Sequence, residues 1–329
     1  MTQRAGEALT LGRGDGGAAC SSSEDPRGLG GGGSAVCLSS GGMGCCLSFA
    51  TWNCHTLFGR APTNKEARRR FNRKIARVVS MAKKHDAVLL QDVHGDENGL
   101  ASLRRLLPRH VIFGSFCENR SAGGVAIIVN PKLLVHYNGS CSVRVLCPGR
   151  CLVVDLECGE GSSFNFDPLS ICCVHIVPGW SSGEKRRLID SLHARLGVPG
   201  RIVFLAGDLN FPADGEGRIT QATGKVKLAV DLVASYFERK FSGFTELSQS
   251  RPTRSGPGEA VTIVLSRIDR VFTNVTPSEL LARNASAYIV GTLEKEDLSD
   301  HVPVVAVVGP RRRRAGRRSG APEWATLLP

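Results

Sequence analysis

The sequence contains no apolar run of the ~18 residues that a membrane-spanning helix requires, and Met1–Gly17 lack the apolar core of a secretory signal. It has 12 cysteines but no CxxC pair, so the spacing typical of a structural zinc site is missing. No internal repeat recurs at a fixed period. We therefore predict a protein without a membrane span, whose cysteines are reduced thiols packed as small core residues.

Positive charge is in excess overall but unevenly spread, with 42 Lys and Arg against 30 Asp and Glu and a formal net charge of +12. Arg311–Arg314, Arg317 and Arg318 form a basic cluster, and an excess remains when that cluster is set aside. Such a balance favours a polyanionic partner, and we expect a nucleic acid, DNA in the leading interpretation. The alternative is a solvated basic surface with no such partner. The arginine cluster also resembles a nuclear signal, so we expect nuclear, otherwise cytoplasmic, localisation.

Composition divides the chain into three parts. Residues 1–45 are rich in Gly and Ser and are predicted to be disordered. Residues 46–309 alternate strand and helix patterns and are predicted to form one domain, and residues 310–329 form a basic tail, also predicted to be disordered. Apolar periodicity predicts the following: strands at Leu47–Trp52, Ala87–Leu90, Val111–Phe116, Gly124–Val129, Leu133–Tyr137, Leu152–Leu156, Leu169–Val174, Ile202–Ala206, Ile268–Thr273 and Val302–Val308, and helices at Glu66–Lys84, Leu100–Leu107, Glu184–Leu196 and Val226–Lys240.

Polar residues adjoin the ends of several predicted strands, where α/β folds build their sites. Each alone is more often a turn or cap residue, but their joint occurrence indicates a single site. Carboxylate and amide oxygens suit Mg²⁺ or Mn²⁺, which a phosphodiester hydrolase uses against a phosphate oxygen. The residues in question are Asn53, Asp92, His175, Asp208, Asn210, Asp300 and His301.

Seven short motifs occur in one order along residues 46–309: Thr51-Trp52-Asn53, Leu90-Gln91-Asp92, Gly123-Gly124-Val125-Ala126, Val174-His175, Gly207-Asp208-Leu209-Asn210, Ser266-Arg267-Ile268-Asp269-Arg270 and Ser299-Asp300-His301. In these motifs the sequence resembles the endonuclease/exonuclease/phosphatase family, and most of all the endonuclease domains of non-LTR retrotransposons. The resemblance implies an α/β fold, a four-layered sandwich of two packed mixed β-sheets flanked by helices.

The resemblance also implies a metal site. Asn53, Asp92 and Asp300 stand where the family binds its divalent ion, so Mg²⁺ is the expected cofactor and Mn²⁺ its alternative. The family motif has Glu where this sequence has Asp92, whose side chain is one methylene shorter, and we expect this change to weaken metal binding. His55 occupies a position that is acidic in apurinic endonucleases. It is a candidate ligand for ions such as Mn²⁺ or a loop residue with no role.

Catalytic roles follow from the same resemblance. His301 is expected to be the catalytic histidine, as base or as phosphate stabiliser, with Asp269 holding its orientation and favouring its charged form. Asp208, with Asn210 beside it, is expected to orient or deprotonate the attacking water. His175 stands where relatives contact the phosphate.

Three functions are compatible with these residues. The leading one is a Mg²⁺-dependent DNA endonuclease, weakened by Asp92. The second is a phosphatase or phosphodiesterase acting on RNA, inositol phosphates or phospholipids. The third is a catalytically impaired nucleic-acid-binding remnant of a retroelement.

Overall fold

The computed structural model describes residues 46–59, 63–137, 139–157, 167–213, 215–228, 231–257, 262–293 and 297–309. The predictions for residues 1–45 and 310–329 lie outside this part of the chain. Its six helices are α1 Lys65–Lys84, α2 Glu97–Leu106, α3 Pro131–Val135, α4 Ser182–Leu196, α5 Leu232–Lys240 and α6 Pro277–Ala282. Its sixteen strands are β1 Leu47–Asn53, β2 Ala87–Gln91, β3 Val111–Ser115, β4 Val125–Val129, β5 Cys141–Cys147, β6 Cys151–Leu156, β7 Leu169–His175, β8 Ile202–Asp208, β9 Gly217–Thr220, β10 Val226–Leu228, β11 Thr245–Glu246, β12 Arg254–Pro257, β13 Ile263–Ser266, β14 Asp269–Thr273, β15 Ser286–Ile289 and β16 Val304–Val308.

Two six-stranded mixed sheets form the centre of the fold. The first has the order β15-β16-β1-β2-β4-β3 and the second the order β11-β14-β8-β7-β6-β5. Each contains one parallel pair, β1 with β2 and β7 with β8, while its other neighbours are antiparallel. The two central pairs carry nearly continuous apolar sequences because both of their faces are covered.

The core lies in three layers. Between the sheets, apolar side chains of both interdigitate, and Phe49 stacks on Phe204 with ring centroids 4.2 Å apart. The outer face of the first sheet packs against α1 and α2, and the outer face of the second packs against α4 and α5. Helix, sheet, sheet and helix therefore form four layers, which confirms the predicted sandwich.

A third, four-stranded sheet of order β10-β9-β13-β12 was not predicted. Two other predictions are wrong. Leu133–Tyr137 is not a strand, because Asn130 caps a short helix at Lys132 N and Pro131 occupies its first turn. The predicted helix Val226–Lys240 is instead the strand β10 followed by α5, whose N-cap Asp231 accepts a hydrogen bond from Val233 N.

Local signals account for the helices that were predicted. Asn64 caps α1 and two lysines occupy its last turn, while Ser181 and Glu184 form a reciprocal capping box at the start of α4. Among the described residues, no helix has the length and apolarity needed to cross a bilayer.

Candidate active site

The topology brings the strand ends of both sheets to one edge. Asn53 ends β1 and Asp92 follows β2, while His175 and Asp208 end the parallel pair of the second sheet and are register partners. The antiparallel neighbours begin where these strands end: Asp269 pairs with Asp208 at the start of β14. Asp300 and His301 precede β16, whose Val304 pairs with Thr51 of β1.

A buried histidine lies between two carboxylates at this edge. His301 Nδ1 is 2.8 Å from Asp269 Oδ2, and its Nε2 is 3.8 Å from Asp208 Oδ2. Asn53 Nδ2 donates to Asp208 Oδ2 at 2.9 Å, and all four residues are buried. Because Trp52 Nε1 donates to the His301 carbonyl at 3.0 Å, the histidine backbone is fixed as well as its ring.

The charges of this group are set by burial and by each other. Burial disfavours the charged imidazole, but the carboxylates of Asp269 and Asp208 outweigh it and raise the pKa of His301 to about 9. Burial raises the pKa of Asp208 to about 7, with the charge of Asp269 adding to the rise and that of His301 opposing it. At pH values between about 7 and about 9, Asp208 is a carboxylate and faces His301 as an imidazolium.

Backbone groups hold Asp208 on its other side. Asn210 N donates to Asp208 Oδ1 at 2.9 Å, and Asn210 Nδ2 donates to the Ile176 carbonyl at 2.7 Å. Asn210 adopts a φ of 55°, a conformation that asparagine tolerates better than most residues. Its side chain therefore fixes the turn after β8 rather than approaching His301.

His175 lies on the second-sheet side of the site and contacts Arg150. Arg150 Nη1 donates to His175 Nδ1 at 3.1 Å, so the ring carries its proton on Nε2. Burial lowers the pKa of His175 to about 4, against the opposing charge of Asp92, and keeps the ring neutral near pH 7.

Asp92 lies among nitrogen donors. Its Oδ1 accepts from Gly123 N at 3.1 Å and is 3.2 Å from His94 Nε2, while its Oδ2 is 3.5 Å from His55 Nδ1. Burial alone would raise the pKa of Asp92, but the hydrogen bonds from His55 and His94 outweigh it and hold that pKa well below its ordinary value. His175 Nδ1 is more distant, at 4.0 Å from Asp92 Oδ1.

Asp300 pairs with an arginine of the third sheet. Arg254 Nε donates to Asp300 Oδ2 at 3.1 Å, and a backbone bridge joins Arg254 to His301. Asp300 Oδ2 is also 3.9 Å from His301 Nε2. Burial alone would raise the pKa of Asp300, but His301 and Arg254 lower it, so the carboxylate stays ionised.

The oxygen donors at this edge suit a divalent ion, and each already has a protein partner. Asp92 is bracketed by imidazoles, Asp300 is partly neutralised by Arg254, and Asn53 Oδ1 accepts from His55 N at 3.1 Å. A second set of possible ligand atoms, from Asp208, Asp269 and His301, lies within 4.8 Å of one another, but these groups already pair among themselves. Asn53, Asp92 and Asp300 supply the oxygen donors that a divalent ion such as Mg²⁺ prefers, and the described residues hold no further group of three carboxylate, imidazole or thiol ligand atoms this close together.

The structure thus places all eight predicted residues at one edge, and their roles stay predictions. Sequence reasoning missed three neighbours: His94, Arg150 and Arg254. His94 follows Asp92 by only two positions, so the sequence alone could have identified it as a neighbour of the site. Arg150 and Arg254 come from β-rich segments 25 and 46 positions from their partners, and no local signal identifies them.

The sequence model of the endonuclease/exonuclease/phosphatase family matches residues 50–301. No curated protein matches the sequence. Among solved structures, the AP endonuclease LMAP from Leishmania major superposes with a TM-score of 0.56 at 14% identity, covering 82% of this chain and 88% of that one.

Two further structures share the fold at 15% identity, each covering 80% of this chain and 98% of its own. They are D. rerio TDP2 complexed with single-strand DNA product, with a TM-score of 0.52, and the endonuclease domain of TRAS1, a telomere-specific non-LTR retrotransposon, with a TM-score of 0.50. These likenesses show the fold alone. Members of the matched family are hydrolases of phosphodiester bonds and are generally dependent on divalent metals. Since the family match covers more than half of the sequence and the predicted sandwich is present, the chain belongs to the endonuclease/exonuclease/phosphatase family.

Proposed function

We propose that this chain is a divalent-metal-dependent endonuclease that hydrolyses DNA. The observation that carries the proposal is His301, buried between Asp269 at 2.8 Å and Asp208 at 3.8 Å, with Asn53 bound to the same Asp208 oxygen. Phosphodiester hydrolysis needs an acceptor for a water proton and a positive group facing the phosphate. This arrangement offers both within one hydrogen-bonded group.

In the proposed reaction, a water oxygen forms a bond to phosphorus and the bond to the leaving oxygen breaks. Asp208 accepts the proton of the water, since a pKa of about 7 suits a general base near neutral pH. His301, kept charged by Asp269, stabilises the added negative charge on the phosphate. His175 has its Nε2 proton free to donate to a phosphate oxygen because Arg150 occupies Nδ1.

Asn53, Asp92 and Asp300 would hold the metal ion, for which Mg²⁺ is the expectation from sequence and Mn²⁺ the alternative. When bound, such an ion polarises a phosphate oxygen and lowers the pKa of nearby water. Asn210 contributes by fixing the turn that presents Asp208.

The choice of DNA is supported by charge. Helix α1 exposes Lys65, Arg68, Arg69 and Arg70 on its first turns. Lys74, further along the same helix, donates to the Cys54 and His55 carbonyls, both at 2.6 Å, and this contact supports a role for the helix in binding DNA beside the site. A nuclear location remains part of the proposal through Arg311–Arg318, which lie outside the described residues.

The test is nicking of supercoiled plasmid by the purified full-length chain, in parallel reactions with EDTA, Mg²⁺ and Mn²⁺. We expect nicking only with metal, and a loss of about 10²–10⁴-fold in Asp208→Asn and His301→Asn. His193→Asn, an exposed histidine on the outer helix α4, is the matched control and should retain activity.

A parallel panel of RNA, inositol phosphate and phospholipid substrates separates the alternatives. Hydrolysis of one of these with intact plasmid would replace the DNA endonuclease by a phosphatase or phosphodiesterase. Plasmid binding with no hydrolysis of any substrate would identify a catalytically impaired binding protein.

A further inference from the structure

A lysine ammonium is buried against residues 54–56, which follow β1 and which we call the His55 loop. Lys74 of α1 is 6% exposed, and its Nζ donates to the carbonyls of Cys54 and His55, both at 2.6 Å, and of Thr56 at 3.2 Å. An ammonium has three N–H groups, so these three carbonyls occupy all of them. A buried charge is stable only where hydrogen bonds replace its water, and here a single loop supplies those bonds.

The His55 loop in turn depends on this lysine for its backbone hydrogen bonds. Its amide nitrogens have partners in neighbouring segments, as Thr56 N donates to the Asp92 carbonyl at 2.8 Å. Its three carbonyls instead converge on Lys74 Nζ, in a conformation where His55 and Thr56 adopt φ values of 42° and 70°. Positive φ is strained for residues with a side chain, and most of all for a β-branched one such as Thr56. We therefore expect the loop to relax when the ammonium is removed.

The same loop fixes the side chain of Asn53. His55 N donates to Asn53 Oδ1 at 3.1 Å, and Asn53 Nδ2 donates to Asp208 Oδ2 at 2.9 Å. The oxygen and nitrogen of one amide point in different directions, so the bond from His55 N orients the Asn53 nitrogen towards Asp208. A continuous series of contacts therefore joins Lys74, the His55 backbone, Asn53 and Asp208.

We propose that Lys74 is a positioning residue for hydrolysis, which holds the His55 loop so that Asn53 presents its amide nitrogen to Asp208. Lys74 acts on the general base through Asn53, because its ammonium is buried and its three N–H groups are occupied. A direct contact with a DNA phosphate would require the ammonium to leave the loop. The inference deepens the proposed nuclease and takes its functional meaning from that proposal.

The first test is a double-mutant cycle on plasmid nicking by the full-length chain, with Lys74→Met, Asn53→Ala and the two combined. Lys74→Met should lower kcat by about 10²-fold, as for a catalytic group displaced by roughly 1 Å, with little change in KM for the plasmid. Added to Asn53→Ala, it should lower kcat by less than about threefold further, because the residue through which it acts is already missing. Losses that multiply in the double variant would overturn the inference, as would a raised KM with kcat unchanged.

The second test requires no activity and follows amide hydrogen exchange of the His55 loop by mass spectrometry. Lys74→Met should speed exchange in residues 54–57 by about tenfold or more, because the loop opens more often without its donors. Lys83→Met is the matched control, since it removes an exposed lysine of the same helix and should leave exchange and kcat unchanged. Unchanged loop exchange in Lys74→Met would overturn the inference whether or not the chain nicks DNA. Faster exchange in a chain that nicks no plasmid would uphold the hold of Lys74 on the loop while refuting the proposed nuclease.

Lys74→Gln keeps both tests decisive where Lys74→Met fails to fold. Glutamine is neutral and has two N–H donors, so it can bind two of the three carbonyls at most. It should show the same non-additivity with Asn53→Ala and the same faster loop exchange, each of smaller size. Urea denaturation of both variants establishes that each is folded before kcat and exchange are compared.

Discussion

At the scale of single residues, the site depends on keeping opposite charges on His301 and Asp208. Asp208 is ionised above its pKa of about 7, and His301 is charged below its pKa of about 9. Activity should therefore rise as pH increases through about 7 and fall as it passes about 9. The two limbs of this pH profile report the coupled pair and not either group alone, because the charge of Asp208 shifts the pKa of His301 and the charge of His301 shifts that of Asp208.

The Asp269→Asn variant tests whether Asp269 determines the pH at which activity falls on the alkaline side of the profile. Loss of the carboxylate removes the attraction that outweighs burial, so the pKa of His301 should fall and the alkaline limb should move to lower pH. Turnover should fall by about 10²–10⁴-fold, as expected when a histidine loses its orienting carboxylate. The measurement is the pH profile of plasmid nicking.

Asp155→Asn provides the control for this variant. Asp155 is also buried, but it binds Ser170 and Arg144 at the opposite end of the second sheet. The Asp155→Asn variant should lower the free energy of unfolding and leave both limbs of the pH profile of nicking unchanged. An unmoved alkaline limb in Asp269→Asn would show that Asp269 does not control the charge of His301.

Asp92→Glu tests the expectation that the shorter residue weakens Mg²⁺ binding. The longer side chain should reach further into the site, raise Mg²⁺ affinity and increase turnover with Mg²⁺. It should also lose the hydrogen bonds from Gly123 N and His94. Calorimetry measures the Mg²⁺ affinity, and Mg²⁺ titration of nicking measures the turnover. Equal Mg²⁺ affinity and turnover in the two proteins would show that the missing methylene is compensated.

At the scale of secondary structure elements, the site depends on close approach of β7 and β8. Gly207 immediately precedes Asp208 and has a φ of 149°, and a Cβ atom there would lie 1.9 Å from the Val174 carbonyl oxygen. Only glycine permits this register, which places Asp208 opposite His175.

Gly207→Ala should therefore push β8 away from β7 and displace Asp208. We expect the free energy of unfolding to fall by more than about 1 kcal/mol and nicking to be largely lost. Gly243→Ala is the control, because its Cβ would meet open space, and it should change neither quantity. Urea denaturation and the plasmid assay measure both. Wild-type values for Gly207→Ala would show that the strands can separate without disturbing Asp208.

The elements that carry the predicted residues could be found from sequence, because β1, β2, β7 and β8 are buried on both faces and their apolar runs are uninterrupted. The third sheet could not be found in this way. Its strands have only three or four residues, and Val226, Leu228 and Ile263 stay exposed in it. Arg254, which this sheet contributes beside Asp300, lies 46 positions before its partner, so no local pattern identifies it.

At the scale of the whole molecule, positive charge is placed unevenly along α1. The middle of this helix contacts the His55 loop through Lys74, while its last residues, Lys83 and Lys84, lie about 20 Å from Arg70 along the helix axis. Arg70 lies one turn before Lys74, and Arg73 pairs with Asp297, in the segment that leads to Asp300 and His301. We therefore expect a phosphate backbone at the site to pass Arg70 and Arg73 and not the two lysines at the end of the helix.

The double variant Arg70→Gln and Arg73→Gln tests this polarity. It should weaken DNA binding and reduce the dependence of log affinity on log salt concentration by about one to two units, since each lost phosphate contact removes roughly 0.9 of the slope. Lys83→Gln with Lys84→Gln makes the same change in net charge on the same helix and should leave the slope nearly unchanged. Fluorescence anisotropy with a labelled duplex at several salt concentrations measures it. Equal reductions in the two variants would mean that DNA responds to the total charge of the molecule and not to the basic surface beside His55. Because neither arginine touches the His301 group, the rate of nicking at saturating protein should stay at its wild-type value in both variants.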